Sequence, residues 1–161
     1  MTSNLKETKN IKETPRILVI DADDTVRKSI AAMLIAEGYF ADTAGTGKEA
    51  VKKTFETFYN LALINIRLQD MGGTDVMNQM KETVPPMIKV IIASNASLPK
   101  AVDAVNNGAD ACVLIPTDPE KLLNVVKKGL KKQEDAKKFS QQRVVDFIET
   151  RVRELSSTTN R

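Results

Sequence analysis

The chain has 161 residues and is 42% hydrophobic, which suits one domain with appendages and leaves ample material for a core. Its 0 histidines exclude histidine base catalysis, phosphohistidine relay and histidine-ligated metals, and its 1 cysteine excludes an internal disulfide or a cysteine-cluster zinc site. The net charge of +3 resides in the last 31 residues, with 8 basic and 5 acidic groups, while the rest balances; so small an excess does not by itself point to nucleic acid.

Residues 1–15 are polar, carry no signal-peptide apolar stretch, and are expected to form a disordered tail. No run reaches the length of a membrane span, so the expected compartment is the cytoplasm. Arg16-Ile-Leu-Val-Ile20 is a short apolar run that suits a strand covered on both faces. Asp24 is placed to cap a helix carrying Val26, Ile30, Met33 and Leu34 on one face, closed by Gly38. A weak strand follows over residues 39–44, and Gly45 and Gly47 make a turn. Gly45-Thr-Gly47-Lys48 lacks the spacing of a P-loop. A helix over 48–58 carries Ala50, Val51, Phe55 and Phe58, and Leu61-Ala-Leu-Ile-Asn65 reads as the third strand. A helix over 74–84 turns Val76, Met77 and Met80 inward and stops at Pro85-Pro86. The fourth strand spans 89–94, a short helix 99–107 ends at Gly108, and the fifth strand spans 111–115. A fifth helix runs from Asp118 to about Lys132, with Pro119 at a favourable early position. Cys112 lies in the apolar run of the fifth strand and is expected to be a small buried hydrophobe.

Five strand–helix units in alternation predict an α/β fold: a doubly wound, five-stranded parallel sheet with helices on both faces. Any site then belongs at the carboxyl ends of the strands, here Asp21-Ala22, Asn65, Ser94-Asn95 and Ile115-Pro116.

The order and spacing of four segments carry a resemblance: Ile17-Leu-Val-Ile-Asp21, Leu63-Ile-Asn-Ile-Arg-Leu-Gln-Asp-Met-Gly-Gly73, Asn106-Asn-Gly-Ala-Asp110 and Ile115-Pro-Thr-Asp118. Residues 16–132 resemble the receiver domain of bacterial and archaeal response regulators, a flavodoxin-like fold. The resemblance implies a pocket that transfers a phosphoryl group to an aspartate, with Mg²⁺ held by carboxylates, a hydroxyl and a lysine. Position by position, Asp21 matches the first metal acid, but Ala22 stands where the second belongs. Asn65 stands at the phosphoacceptor, Ser94 at the hydroxyl, and Ile115, before Pro116, where the lysine belongs. A carboxamide is a poor nucleophile because its nitrogen lone pair is delocalised. Mg²⁺ loses carboxylates, so its binding is expected to be weak or absent, with at most a loose hold by Asp21 and Asp23. Asp21 is otherwise a helix cap or a solvated acid. Cys112 occupies the position where the family carries a switching aromatic. The implied function is a pseudo-receiver: a non-enzymatic, non-phosphorylatable domain acting through protein–protein contacts, without a cofactor.

Residues 133–161 comprise a polar spacer and an amphipathic helix. Lys131-Lys-Gln-Glu-Asp-Ala-Lys-Lys138 has nothing to bury, although the fifth helix has the propensity to run on through it. Val144, Val145, Ile148, Val152 and Leu155 then recur at helical steps with Phe147 beside them, opposite Arg143, Asp146, Glu149, Arg151, Arg153 and Glu154. Such a face folds back on the core, pairs with a second copy as a homodimer, or enters a groove on another protein. The spacer favours an intermolecular partner, and the mixed charge disfavours a membrane. The alternatives are a nucleic-acid-associated regulator using the basic tail, a phosphorelay receiver with residual or non-canonical activation, and an enzyme. No helix-turn-helix follows Lys132, and no glycine-rich dinucleotide signature is present.

Overall fold

The computed structural model describes residues 13–159, so residues 1–12 of the tail expected over residues 1–15, and residues 160–161, lie outside it. The strands are β1 (Arg16–Ile20), β2 (Phe40–Ala44), β3 (Leu61–Asn65), β4 (Ile88–Ser94) and β5 (Ala111–Ile115). The helices are α1 (Asp24–Ala36), α2 (Gly47–Glu56), α3 (Gly73–Gln79), α4 (Leu98–Asn106) and α5 (Pro119–Thr159). All pairings are parallel, in the order β2-β1-β3-β4-β5. This is the flavodoxin-like order, whose crevice opens beside β1 and β3.

The continuous apolar runs become the central strands because both faces of the sheet are covered. On one face Leu18, Ile20, Ile64 and Ile91 meet α2, α3 and α4 through Ala50, Val76, Met77, Ala101 and Ala104. On the other, Ile17, Val19, Leu63, Val90 and Ile92 meet α1 and α5 through Leu34, Leu122 and Val126. Strand β2 lies at an edge, with a half-exposed burial pattern that explains its weak apolar signal. Gly38 closes α1 with φ +94, a left-handed conformation that favours glycine.

Four details differ from the sequence reading. Asp23, not Asp24, caps α1, accepting hydrogen bonds from the backbone N–H groups of Thr25 and Val26. Asp24 begins the helix and pairs with Arg27 and Lys28. Helix α2 turns Ala50 and Thr54 inward, leaving Phe55 and Phe58 exposed. The Thr54 hydroxyl donates to the Val51 carbonyl and accepts from the Lys81 N–H, so that buried line carries a polar bridge to the next segment. Helix α3 ends at Gln79, well before Pro85: Met80 turns to ψ 148, and Lys81 gives its N–H to Thr54 rather than to a helical carbonyl.

The fourth difference is α5, one helix of 41 residues that includes the polar spacer. It approaches the sheet closely at Gly129, where a Cβ would lie 2.8 Å from Ile88 Cγ2 and 3.0 Å from Leu61 Cδ1. Gln133, beyond the expected domain boundary, is buried. Its amide donates to the Pro86 carbonyl and accepts from Asn60, whose own oxygen takes the Arg16 N–H. Over residues 135–158 the helix is exposed, and it leaves the body at the amino-terminal edge of the sheet.

Candidate functional site

Asp21 follows β1 and Asn65 ends β3, so the neighbouring strands bring their side chains together at the crevice. Asp21 is buried, and both of its carboxylate oxygens are engaged. Oδ1 accepts the Asp23 N–H at 2.9 Å, and Oδ2 accepts the Asn65 amide Nδ2 at 3.0 Å. The Asn65 Oδ1 accepts the Arg67 N–H at 2.9 Å, which orients the amide with its N–H toward the acid. A carboxylate only accepts, so the reverse orientation would set two acceptors against each other. The place a divalent cation would need between two acids is bridged by an amide N–H.

The donor set does not suit Mg²⁺. Ala22 is half-buried and offers no ligand, and the Asp23 Oδ1 is committed to the α1 cap. Among the described residues no group of three or more His, Cys, Asp or Glu could hold a metal ion.

The remaining predicted residues lie apart from this pair. Ser94, exposed at the end of β4, stands in register with Ile115, and the Ile115–Pro116 peptide is cis. Ser94, Ile115 and Pro116 line an open cleft of about 610 Å³ whose wall is mostly apolar: Val26, Ile30 and Met33 from α1, Leu122 from α5. With Ile115 in the lysine's place, this cleft offers no cation to an anion. Cys112 is half-buried against the Ile91 side of the core, more open than the expected small core residue, and burial pushes its thiol pKa up.

Sequence reasoning missed three groups around the site. The Arg27 guanidinium donates to the Asp21 carbonyl and to Asp24, both at 2.6 Å, and lies against Gly45. The i, i+3 charge pairing of Asp24 with Arg27 was its sequence signal. The Asp70 carboxylate accepts the N–H groups of Gly47 and Lys48 at 2.8 and 2.9 Å, tying the β3–α3 loop to the start of α2. Those bonds, Gly47 first, hold its carboxyl below the usual aspartate range. Gly73 supplies the third, since a Cβ there would meet the Asn65 carbonyl and Ile66 Cα at 3.0 Å. Asp70 and Gly73 both lie in the Leu63–Gly73 segment that carries the resemblance, but the contacts that give them their roles are tertiary.

Far from the crevice, Val144, Val145, Phe147, Ile148, Val152 and Leu155 are all exposed on the projecting part of α5. The tail therefore does not fold back on its own domain. No described helix is long and apolar enough to cross a membrane.

The family model for the response regulator receiver domain matches residues 17–127. A curated relative, the alginate biosynthesis transcriptional regulatory protein AlgB of Pseudomonas putida, is 30% identical over 107 residues, 66% of this chain and 24% of that protein. The chain thus spans about a quarter of the length of such relatives. The crystal structure of a CheY-like response regulator receiver domain protein from Methanospirillum hungatei aligns with TM-score 0.71 and 36% identity, covering 76% of this chain and 98% of that one. NtrX from Brucella abortus aligns at TM-score 0.74 over 80% of this chain and 30% of its own, and at 24% identity supports the fold alone.

Proposed function

This chain belongs to the response regulator receiver domain family, and from that premise we propose that it is a pseudo-receiver acting by protein–protein contact in cytoplasmic signal transduction, with no phosphoryl chemistry of its own. One observation carries the reading: the Asn65 amide, standing at the phosphoacceptor, is bonded to Asp21 where metal and phosphate would meet. Ala22 and Ile115 support it, since they stand where the family carries the second acid and the lysine. Mg²⁺ binding is accordingly weak or absent. Cys112 supplies no large ring for a two-state switch, so the domain holds one conformation. The contact surface is the apolar face of the tail, and its partner is another protein or a second copy of the chain.

The test is incubation of the full chain with Mg²⁺ and an acyl-phosphate donor, read by intact mass. No phosphoryl adduct is expected, and an adduct on the domain would overturn the reading. A second reading, association with nucleic acid, draws on the basic tail and on the name of the AlgB relative. Salt-dependent binding to duplex DNA would favour it.

A further inference from the structure

Strand β2 ends the sheet on one side, yet its outer edge is not the bare row of backbone groups that an edge strand ordinarily presents. Along a parallel pair, successive residues turn their N–H and C=O groups alternately toward the neighbour and away from it. The Phe40 N–H goes to the Pro15 carbonyl, and the Ala44 carbonyl accepts the Asp21 N–H, so residues 40, 42 and 44 face β1. Ala41, Thr43 and, just past the strand, Gly45 therefore face outward.

Side chains occupy the outward groups at Thr43 and Gly45. The Thr43 N–H donates to Asp42 Oδ1 at 2.9 Å, and its carbonyl accepts the Lys53 ammonium at 2.5 Å. The Gly45 N–H donates to Glu49 Oε2 at 2.9 Å. Glu49 and Lys53 stand one turn apart on α2 and pair at 3.4 Å, so the helix lays both along the edge. Asp42 is held by the Tyr59 hydroxyl on its other oxygen and by Lys53 at 3.2 Å. Stability alone does not account for this set. The buried Tyr59 needs only one oxygen of Asp42, and Glu49 and Lys53 are partly exposed, where an ion pair contributes little. What the three side chains change is the edge itself. Among the described residues nothing takes the outward groups of Ala41, which is left as the one residue of β2 with both of them free. An added strand is held by a succession of main-chain hydrogen bonds, and a single residue is too short a template for it.

We infer that Asp42, Glu49 and Lys53 form a guard that closes the β2 edge to strand addition, by a second copy of the chain or by any extended peptide. The guard is independent of the reading of the tail as a contact surface. It confines the domain's contacts to surfaces other than the open edge beside β1.

The test compares the full chain with Lys53→Met, with Ala41→Pro, and with both, by light scattering at ~0.5 mM, well above the Kd of ordinary specific pairs. Methionine keeps the helix and frees the Thr43 carbonyl, while proline at 41 removes an outward N–H without touching the β1 ladder. All four proteins carry the same tail, so any association through it is common to them. Lys53→Met should raise the average mass roughly 1.5-fold or more over the parent, for a Kd below about 0.1 mM. Adding Ala41→Pro should return it to the parent value, which misfolding would not do. A Lys53→Met mass equal to the parent's, or a rise that Ala41→Pro leaves in place, would overturn the guard. So would a fall in mass for Ala41→Pro alone, since the edge would then already join copies of the parent. As a second arm, the Ala41 amide of Lys53→Met should exchange more slowly at ~0.5 mM than at ~0.05 mM, with no such difference in the parent. Exchange independent of concentration in Lys53→Met would again overturn the guard.

Discussion

Replacing Asn65 by aspartate changes one heavy atom and tests the crevice directly. The 3.0 Å amide-to-carboxylate bond becomes an approach of two carboxylates, one of them buried. At that separation two unit charges repel by about 5–6 kcal/mol at an effective dielectric of about 20. The molecule avoids this by keeping a proton, which at pH 7 costs about 4 kcal/mol for a carboxyl of ordinary pKa near 3.9. The lost charge-assisted hydrogen bond sets a lower figure of about 2 kcal/mol. Asn65→Asp should therefore destabilise the fold by about 2–4 kcal/mol at pH 7. The folded-state pKa of the new carboxyl is raised, so the penalty is absent below about pH 4, where the group is protonated in both states and donates to Asp21. It grows as pH rises toward the folded-state value, reaching at most about 1.5 kcal/mol at pH 5. Urea unfolding at pH 5 and pH 7, followed by circular dichroism, reads the difference between variant and parent. Asn65→Ala serves as control, losing about 1–3 kcal/mol with no pH dependence between those values. A variant as stable as the parent at pH 7, or a gap unchanged between the two pH values, would refute the role assigned to the Asn65–Asp21 bond.

Further outcomes follow from the same geometry. Asn65→Asp alone should still take no phosphoryl group from an acyl-phosphate donor, whereas Asn65→Asp with Ala22→Asp and Ile115→Lys should take one, as read by intact mass; labelling of the single variant would show that Ala22 and Ile115 are not limiting. Gly129→Ala should cost about 1–3 kcal/mol in urea unfolding, because its methyl would press on Ile88 and Leu61 at 2.8 and 3.0 Å; a neutral result would mean that α5 lifts freely from the sheet. Asp70, whose carboxyl is held low by the Gly47 and Lys48 N–H groups, contributes stability present above about pH 4 and lost as pH falls through its folded-state value. Asp70→Asn should flatten that acid limb, and amide exchange at Gly47 and Lys48 should quicken; unchanged exchange would remove the clamp from the account.

The sheet was readable because β1, β3 and β4 are apolar runs covered on both faces and β5 is a fourth apolar run at the edge, and no other local structure explains four such runs between helical stripes. Its loops were less so. Phe55 and Phe58 look like core residues by size and spacing, yet the register of α2 is fixed by Thr54 bridging to Lys81, a contact between distant segments. The end of α3 was misplaced for the same reason, since the bond that diverts Lys81 lies outside the helix. At the crevice, the residue types at 21, 22, 65 and 115 were legible in the order of the chain. The amide's orientation was not, because it depends on the Arg67 N–H behind it. In the tail the apolar stripe was plain, but its projection clear of the body emerged only once the spacer proved helical.

That unbroken helix makes the stretch between Gln133 and Val144 a matter of phase. Each residue added there turns the apolar face of Val145, Ile148 and Val152 by about 100° against the body. Seven would bring it back to within about 20° while lengthening the arm by about 10 Å. The length of the spacer therefore sets the direction in which the arm presents that face.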